Sequence, residues 1–294
     1  MKIDAMTTLY GIIGWPVSHS LSPLFQNGFI EHSGKNAAYV SFPVAPDQLE
    51  PALDGLWALG VAGFNVTVPH KEQAFVRTQA DADARLIGAV NTVRRSDAGW
   101  QATNTDWQGF RSVVEGLQLP LQGADVLLFG AGGTSRAVLH ALASLQVGRL
   151  FICNRNPDRL TALIDHARQA YPALSCLPLA WEQQAVDRVC ATAPLLVNTT
   201  SVGLKDGQQF PFVLSGAGAA MDAVYRPDGD TAFTLAAREA GRMAVDGLPM
   251  LISQGAAAFA WWHDCAMPDC LASLRHIEEQ LGRTPCHLPG WGRE

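Results

Sequence analysis

The sequence predicts an α/β protein of two domains built on largely parallel sheets. Two observations predict it. Apolar, β-branched runs alternate with segments of helical spacing almost from end to end, as strand–helix–strand units require. The 294 residues are long enough for two domains or one large one, and the alternation restarts near Asp125, at a glycine cluster that opens a second series of units.

In the first series, residues 9–13, 37–42, 63–68 and 89–94 read as strands. Residues 23–33 and 46–59 have helical spacing, and each opens with a proline, Pro23 or Pro46, suited to a first helical turn. In the second series the strands are 126–129, 150–153, 195–198, 221–224 and 243–245, with helices over 134–145 and 157–171. After Gly247 the chain turns helical until a Pro/Gly-rich tail. The expected domains are 1–106, completed by 247–294, and 107–246.

Composition narrows the function. Hydrophobic residues make up 48% and charged residues 16%, an ordinary globular mixture with a sizeable core. A net charge of -6 disfavours nucleic acid and anionic lipid, so the expected partner is a small molecule. No stretch approaches the roughly 18 apolar residues of a membrane span, and the first residues lack the apolar run of a signal peptide. Six cysteines at irregular spacings, with no CxxC pair, read as reduced thiols of a cytoplasmic protein. His263, Cys265, Cys270, His276, Cys286 and His287 fit no familiar zinc spacing, and no metal is expected.

The second series opens with an anion site. The run 125–129 passes directly into Gly130-Ala131-Gly132-Gly133-Thr134-Ser135 and then a helix. Glycines let the backbone turn tightly against a pyrophosphate, while free N–H groups and the helix dipole face it. Ser135 stands where a third glycine is usual. The next strand ends at Asn154-Arg155, with Arg159 one turn on, where an NAD site usually carries an acidic residue. A guanidinium suits a 2′-phosphate, which favours NADP, although Asp158 also lies within reach of a ribose.

Four further segments hold polar residues that packing does not ask for. Ser20 and Ser22 alternate in a loop before a helix, in register to face one carboxylate; Ser22 before Pro23 also reads as an N-cap. Asn65 and Thr67 lie on one face of an apolar strand that runs into Pro69-His70-Lys71. Asn91 sits where a half-buried strand emerges, and Asn104-Thr105-Asp106 precedes a helix. An ammonium from Lys71 beside a carboxylate from Asp106 would be held charged and oriented.

At these residues the sequence resembles the shikimate dehydrogenase family. The likeness runs through His19-Ser20-Leu21-Ser22-Pro23, Asn65-Val66-Thr67-Val68-Pro69-His70-Lys71, Ile87-Gly88-Ala89-Val90-Asn91-Thr92 and Asn104-Thr105-Asp106. It continues through Gly130 to Gly133, Asn154-Arg155, Asn198 to Gly203, Asp222 to Tyr225 and Gly247 to Gln254. The resemblance implies an N-terminal α/β substrate domain and a Rossmann-type, doubly wound NADP-binding domain. It implies NADPH-dependent, reversible reduction of 3-dehydroshikimate to shikimate, in a cleft between the domains, for aromatic amino-acid biosynthesis.

By the same resemblance Ser20, Ser22, Asn65, Thr67, Asn91, Asp106 and Gln254 bind the substrate, and Lys71 and Asp106 form the catalytic pair. Tyr225, a further substrate contact, lines the nicotinamide side with Gly247 and Met250, while Thr199 and Val202 border the cofactor. Gln26 stands where a histidine is common, Ala102 replaces a frequent glycine, Thr199 a common alanine and Asn156 a common threonine. Two other readings remain: a quinate/shikimate dehydrogenase using NAD, and a non-catalytic NADP-binding sensor of the same fold. A monomer and a homodimer are equally open.

Overall fold

The computed structural model describes residues 3–205 and 207–291. The chain divides into two compact units. The first holds the residues up to Gly109 together with Leu251–Ser273, and the second holds Phe110–Met250 together with the residues from Leu274 onward.

The first unit begins with β1 (Thr8–Gly14), α1 (Ser22–His32), β2 (Ala37–Pro43), α2 (Leu49–Ala58) and β3 (Gly63–Val66). It continues through α3 (Lys71–Val76), β4 (Gln79–Ala80), α4 (Ala82–Ile87), β5 (Thr92–Ser96) and β6 (Gly99–Thr103) to the start of α5 (Asp106–Gly116). Among the described residues the strands form one sheet in the order β2-β1-β3-β5-β6-β4. β1 pairs in parallel with β2 and β3, whereas β5 runs antiparallel to both β3 and β6. The antiparallel part departs from the parallel reading of 89–94. Asp97-Ala98-Gly99 turns the chain back within three residues, and Gly99 takes φ +113, so β5 and β6 form a hairpin.

Phe64 is fully buried at the centre of this sheet, packed among Ile13, Val61, Val66, Val90 and Val93. Burial of one such ring stabilises the fold by about 1.5–3 kcal/mol. The part of α10 (Leu248–His263) that belongs to this unit docks through two glycines. A Cβ at Gly63 would lie 2.7 Å from Trp262 Nε1, so the bare backbone admits the indole, which donates to Val93 O at 2.9 Å. A Cβ at Gly255 would overlap the ring of Phe25, and Gln26 Nε2 donates to Gly255 O at 2.9 Å. Gln26, an unusual residue at its position, thus anchors the helix that carries Gln254.

The second unit contains β7 (Asp125–Phe129), α6 (Gly133–Ser144), β8 (Arg149–Cys153), α7 (Pro157–Ala170), β9 (Ser175–Leu179) and α8 (Gln183–Cys190). There follow β10 (Leu195–Asn198), β11 (Ala219–Asp222), α9 (Ala232–Glu239) and β12 (Met243–Val245). The order is β12-β11-β10-β7-β8-β9, parallel throughout. Numbered within the unit this is 3-2-1-4-5-6 read from the far edge, the doubly wound order of dinucleotide-binding sheets. Its switch point lies between β7 and β10, where such sheets bind ligands at the carboxyl ends of the strands. Phe129, Phe210, Phe212 and Phe233 pack together beneath that end.

The tail divides differently from the expected 247–294. One division falls inside α10, after Met250, and the other inside α11 (Cys270–Gln280), so that residues from Leu274 onward group with the second unit. Tertiary contacts hold it there: Leu274, Ile277 and Glu278 are buried, Trp291 Nε1 donates to Ser112 O, and Arg283 pairs with Asp246.

Candidate active site

In the first unit the polar residues converge at the carboxyl ends of β1 and β3. Lys71 opens α3 directly after the Thr67-Val68-Pro69-His70 turn, and Asp106 opens α5 directly after β6. The two meet: Lys71 Nζ lies 2.6 Å from Asp106 Oδ2, with side chains only 12% and 8% exposed. His70, fully buried, holds the turn through Nε2 at 2.8 Å from Val44 O.

Asn91 is the hub behind the pair. Its Nδ2 donates to Asp106 Oδ1 at 2.8 Å, to Thr105 Oγ1 at 3.0 Å and to Gln254 Oε1 at 3.0 Å. Its Oδ1 accepts from Thr105 N at 2.7 Å and from Thr92 Oγ1 at 3.0 Å. One carboxylate oxygen of Asp106 therefore faces an amide and the other an ammonium, and the carboxylate cannot rotate without losing one of them. Asn104 Oδ1 accepts from Asp106 N at 3.0 Å and completes the mooring.

A second chain of bonds ties the substrate-side candidates to this hub. Asn65 Nδ2 donates to Asn91 O and Thr92 Oγ1, both at 3.1 Å, while Asn65 Oδ1 accepts from Tyr39 OH at 2.7 Å. Burial pushes the Tyr39 hydroxyl well above its ordinary range, opposed by a hydrogen bond from Ser22, so it stays protonated and keeps donating. Ser22 is buried as the first residue of α1, one position past the helix cap, and Ser20 Oγ accepts from its N–H at 3.2 Å. The capping role open to Ser22 in the sequence is not the one it takes. Thr67 is half-buried, and its Cγ2 occupies the space that a Cβ on Gly14 would need.

Sequence reasoning gave no role to Tyr39, Thr92 or Thr105. Thr92 and Thr105 lie inside the Ile87–Thr92 and Asn104–Asp106 motifs, but Tyr39 sits mid-strand among apolar residues, where only its hydroxyl marks it.

In the second unit the glycine turn joins β7 to α6 with Gly132 as the helix cap. Gly130 has φ +114, and a Cβ there would overlap Thr199 Oγ1 and lie 3.1 Å from the Thr199 carbonyl carbon. A Cβ at Gly132 would meet nothing within 4 Å, so this backbone borders open space, as a pyrophosphate needs. Two departures from the usual pattern prove to be one feature. Ser135 Oγ accepts from Gly132 N at 2.9 Å and lies 2.8 Å from Thr199 Oγ1, which in turn donates to Phe129 O at 2.8 Å. The missing third glycine is thus replaced by a hydroxyl pair that locks the turn to the end of β10.

At the tip of β8, Asn154 Nδ2 donates to Asn156 O, and Asn156 caps α7 by accepting from Arg159 N at 2.9 Å. Arg155 and Arg159 are exposed, and among the described residues neither guanidinium forms an ion pair. Both remain available to a phosphate. Farther along the same edge Val202 is half-buried, Tyr225 half-buried, and Gly247 and Met250 buried. A Cβ at Gly247 would overlap Ala223 O, which brings the 223–225 and 246–248 segments together. Asp222, fully buried, accepts from Asn198 Nδ2, Val224 N and Thr231 Oγ1 at 2.9, 2.9 and 2.6 Å. Burial raises its carboxyl to about 7.

Family models match both units: "Shikimate dehydrogenase substrate binding domain" over residues 12–93, and "Shikimate / quinate 5-dehydrogenase" over residues 113–194. A shikimate dehydrogenase (NADP(+)) of Aquifex aeolicus is 38% identical over 284 residues, spanning 95% of this chain and 100% of the relative. The chain belongs to the shikimate dehydrogenase family. Solved structures agree in fold. A shikimate dehydrogenase from Aquifex aeolicus superposes with TM-score 0.82 at 36% identity, covering 96% of this chain and 100% of the other. A Thermus thermophilus shikimate 5-dehydrogenase, solved with NADP(H) and shikimate, gives TM-score 0.79 at 32% identity, covering 94% and 100%.

Among the described residues all six cysteines are free, and burial pushes the Cys153 and Cys286 thiols up to about 12. No group of three or more His, Cys, Asp or Glu among the described residues is placed to hold a metal. No helix among them is long and apolar enough to cross a membrane.

Proposed function

We propose that this protein is an NADP-dependent shikimate dehydrogenase of the cytoplasm that reversibly reduces 3-dehydroshikimate to shikimate. The observation that carries the reading is the Lys71–Asp106 pair, moored by Asn91 and nearly sealed from solvent in a family whose relatives bear that name. NADPH, when bound, supplies the hydride.

The protein's own residues supply position and a proton. Ser20 and Ser22, on the loop before α1, take the substrate carboxylate; Asn65, Thr67, Asn91 and Gln254 take its ring hydroxyls. Lys71 faces the carbonyl oxygen, stabilises the negative charge that develops there, and delivers its proton as general acid. In the reverse direction the neutral amine accepts that proton. Asp106 orients the amine and accepts a substrate hydroxyl with the lone pairs that Lys71 and Asn91 leave unused.

The glycine turn, Arg155 and Arg159 suit NADP. The turn exposes N–H groups at a helix start, and the two guanidinium groups have the charge and the fork geometry a 2′-phosphate needs. Asn154, Thr199 and Val202 border the dinucleotide, and Tyr225, Gly247 and Met250 line its nicotinamide end.

Turnover followed at the NADPH absorbance band, with shikimate or quinate crossed against NADP or NAD, tests the reading. The highest kcat/KM is expected for shikimate with NADP. Preference for quinate or NAD would move the chain to the other branch of the family, and no oxidation under any combination would leave a dinucleotide-binding sensor.

A further inference from the structure

The C-terminal tail reaches back to the two loops that carry the nicotinamide-side residues. Arg283 follows α11, with its N–H bonded to Glu278 O at 2.9 Å. Its guanidinium donates through Nη2 to Asp246 Oδ2 at 2.6 Å and through Nη1 to Arg226 O at 3.1 Å. Asp246 immediately precedes Gly247, and Arg226 immediately follows Tyr225. The two loops are already stitched by Gly247 N donating to Val224 O at 2.8 Å, and Asp246 Oδ1 accepts from Leu248 N at 3.2 Å. One guanidinium therefore fixes both loops at once, and its own base is held by the buried Glu278, which also accepts from Cys286 N at 2.6 Å.

We propose that Arg283 is a positioning residue for hydride transfer: it clamps the 225–226 and 246–248 loops so that the nicotinamide ring is held in one orientation. The inference rests on the NADP-dependent reading given above. Stability alone does not account for the pair. Its side chains are 10% and 5% exposed, and among the described residues Arg283 Nε is buried without a partner. Removing two ions from water while leaving one N–H unpaired costs about as much as their attraction returns. Burial in fact outweighs the neighbouring guanidinium and raises the Asp246 carboxyl. What such a pair supplies is a fixed geometry for the backbone on either side.

The test is Arg283→Met in the full chain. Hydride transfer tolerates little displacement, so kcat for shikimate oxidation should fall about tenfold or more. The deuterium isotope effect, measured in the reverse direction with NADPH labelled at C4, should rise as transfer becomes limiting. Binding of 2′,5′-ADP, which has the adenine half and no nicotinamide, should stay within about twofold of wild type. An unchanged kcat and isotope effect would overturn the proposal. So would a loss of 2′,5′-ADP binding in step with kcat, since the role would then be merely structural. Should Arg283→Met fail to fold, Asp246→Asn, which keeps size and the acceptor for Leu248 N, must give the same pattern or the proposal fails. A wild-type protein inactive on shikimate refutes the underlying reading instead, and the two failures are distinct.

Discussion

Asp222→Asn should make the protein more stable at alkaline pH, and the structure sets the size of the gain. The Asp222 carboxyl is fully buried with no cation among its partners in the described residues, and burial lifts it from an ordinary 3.8 to about 7. An acid raised on folding costs stability as pH rises. Below pH 4 both folded and unfolded chains carry the proton and nothing is lost. Between about 4 and 7 the unfolded chain ionises while the folded one does not, so stability falls; above 7 the full cost is in place. At about 1.4 kcal/mol for each tenfold change in proton affinity, the cost approaches a ceiling of about 4 kcal/mol. The amide of the variant does not titrate. Its oxygen still accepts from Asn198 and Val224, and its NH₂ donates to Thr231 Oγ1, where the carboxyl oxygen accepted before. In urea unfolding, the variant's advantage over wild type should be about 2–3 kcal/mol larger at pH 8 than at pH 5. An advantage of the same size at both pH values would refute the reasoning.

Two further outcomes concern the cofactor. Arg155→Ala should weaken NADP⁺ binding by about 10- to 100-fold, the value of a charge-assisted hydrogen bond, and leave NAD⁺ nearly untouched by titration calorimetry; equal losses for both would reject the 2′-phosphate assignment. Gly130→Ala forces a side chain into φ +114 against Thr199, at a strain cost of about 1–3 kcal/mol. NADPH binding, followed by its fluorescence, should fall about tenfold or more, and binding within twofold of wild type would show that the turn is not where the pyrophosphate sits.

Local pattern carried much of the fold. The parallel strands of the second unit other than β9, and the helices α1, α6 and α7, fall within a residue or two of where apolar period, proline and glycine put them, because each lies in a repeating β–α unit. What local pattern missed has a common cause. β4 has two residues, β6 is buried only over Ala102–Thr103, and β9 contains Pro178 at a sheet edge, so none shows the long apolar run of a central strand. The reading of 89–94 as a strand joined the end of one element to the start of another: Gly88, at φ +72, closes α4, and β5 begins only at Thr92. Lys71 and Asp106 each read as polar residues that packing does not ask for, but local pattern does not place them together: 35 residues separate them, and the fold brings them to 2.6 Å. The roles of Gln26, Tyr39 and Arg283 depend on partners 229, 26 and 37 residues away, which no local window contains.

Mutation of the ammonium tests the account most directly. Lys71→Ala should lower kcat for shikimate oxidation by about 10²- to 10⁴-fold with little change in KM, because the lost group acts on the reacting oxygen more than on ground-state binding. A turnover within about threefold of wild type would mean that the proton travels by another route.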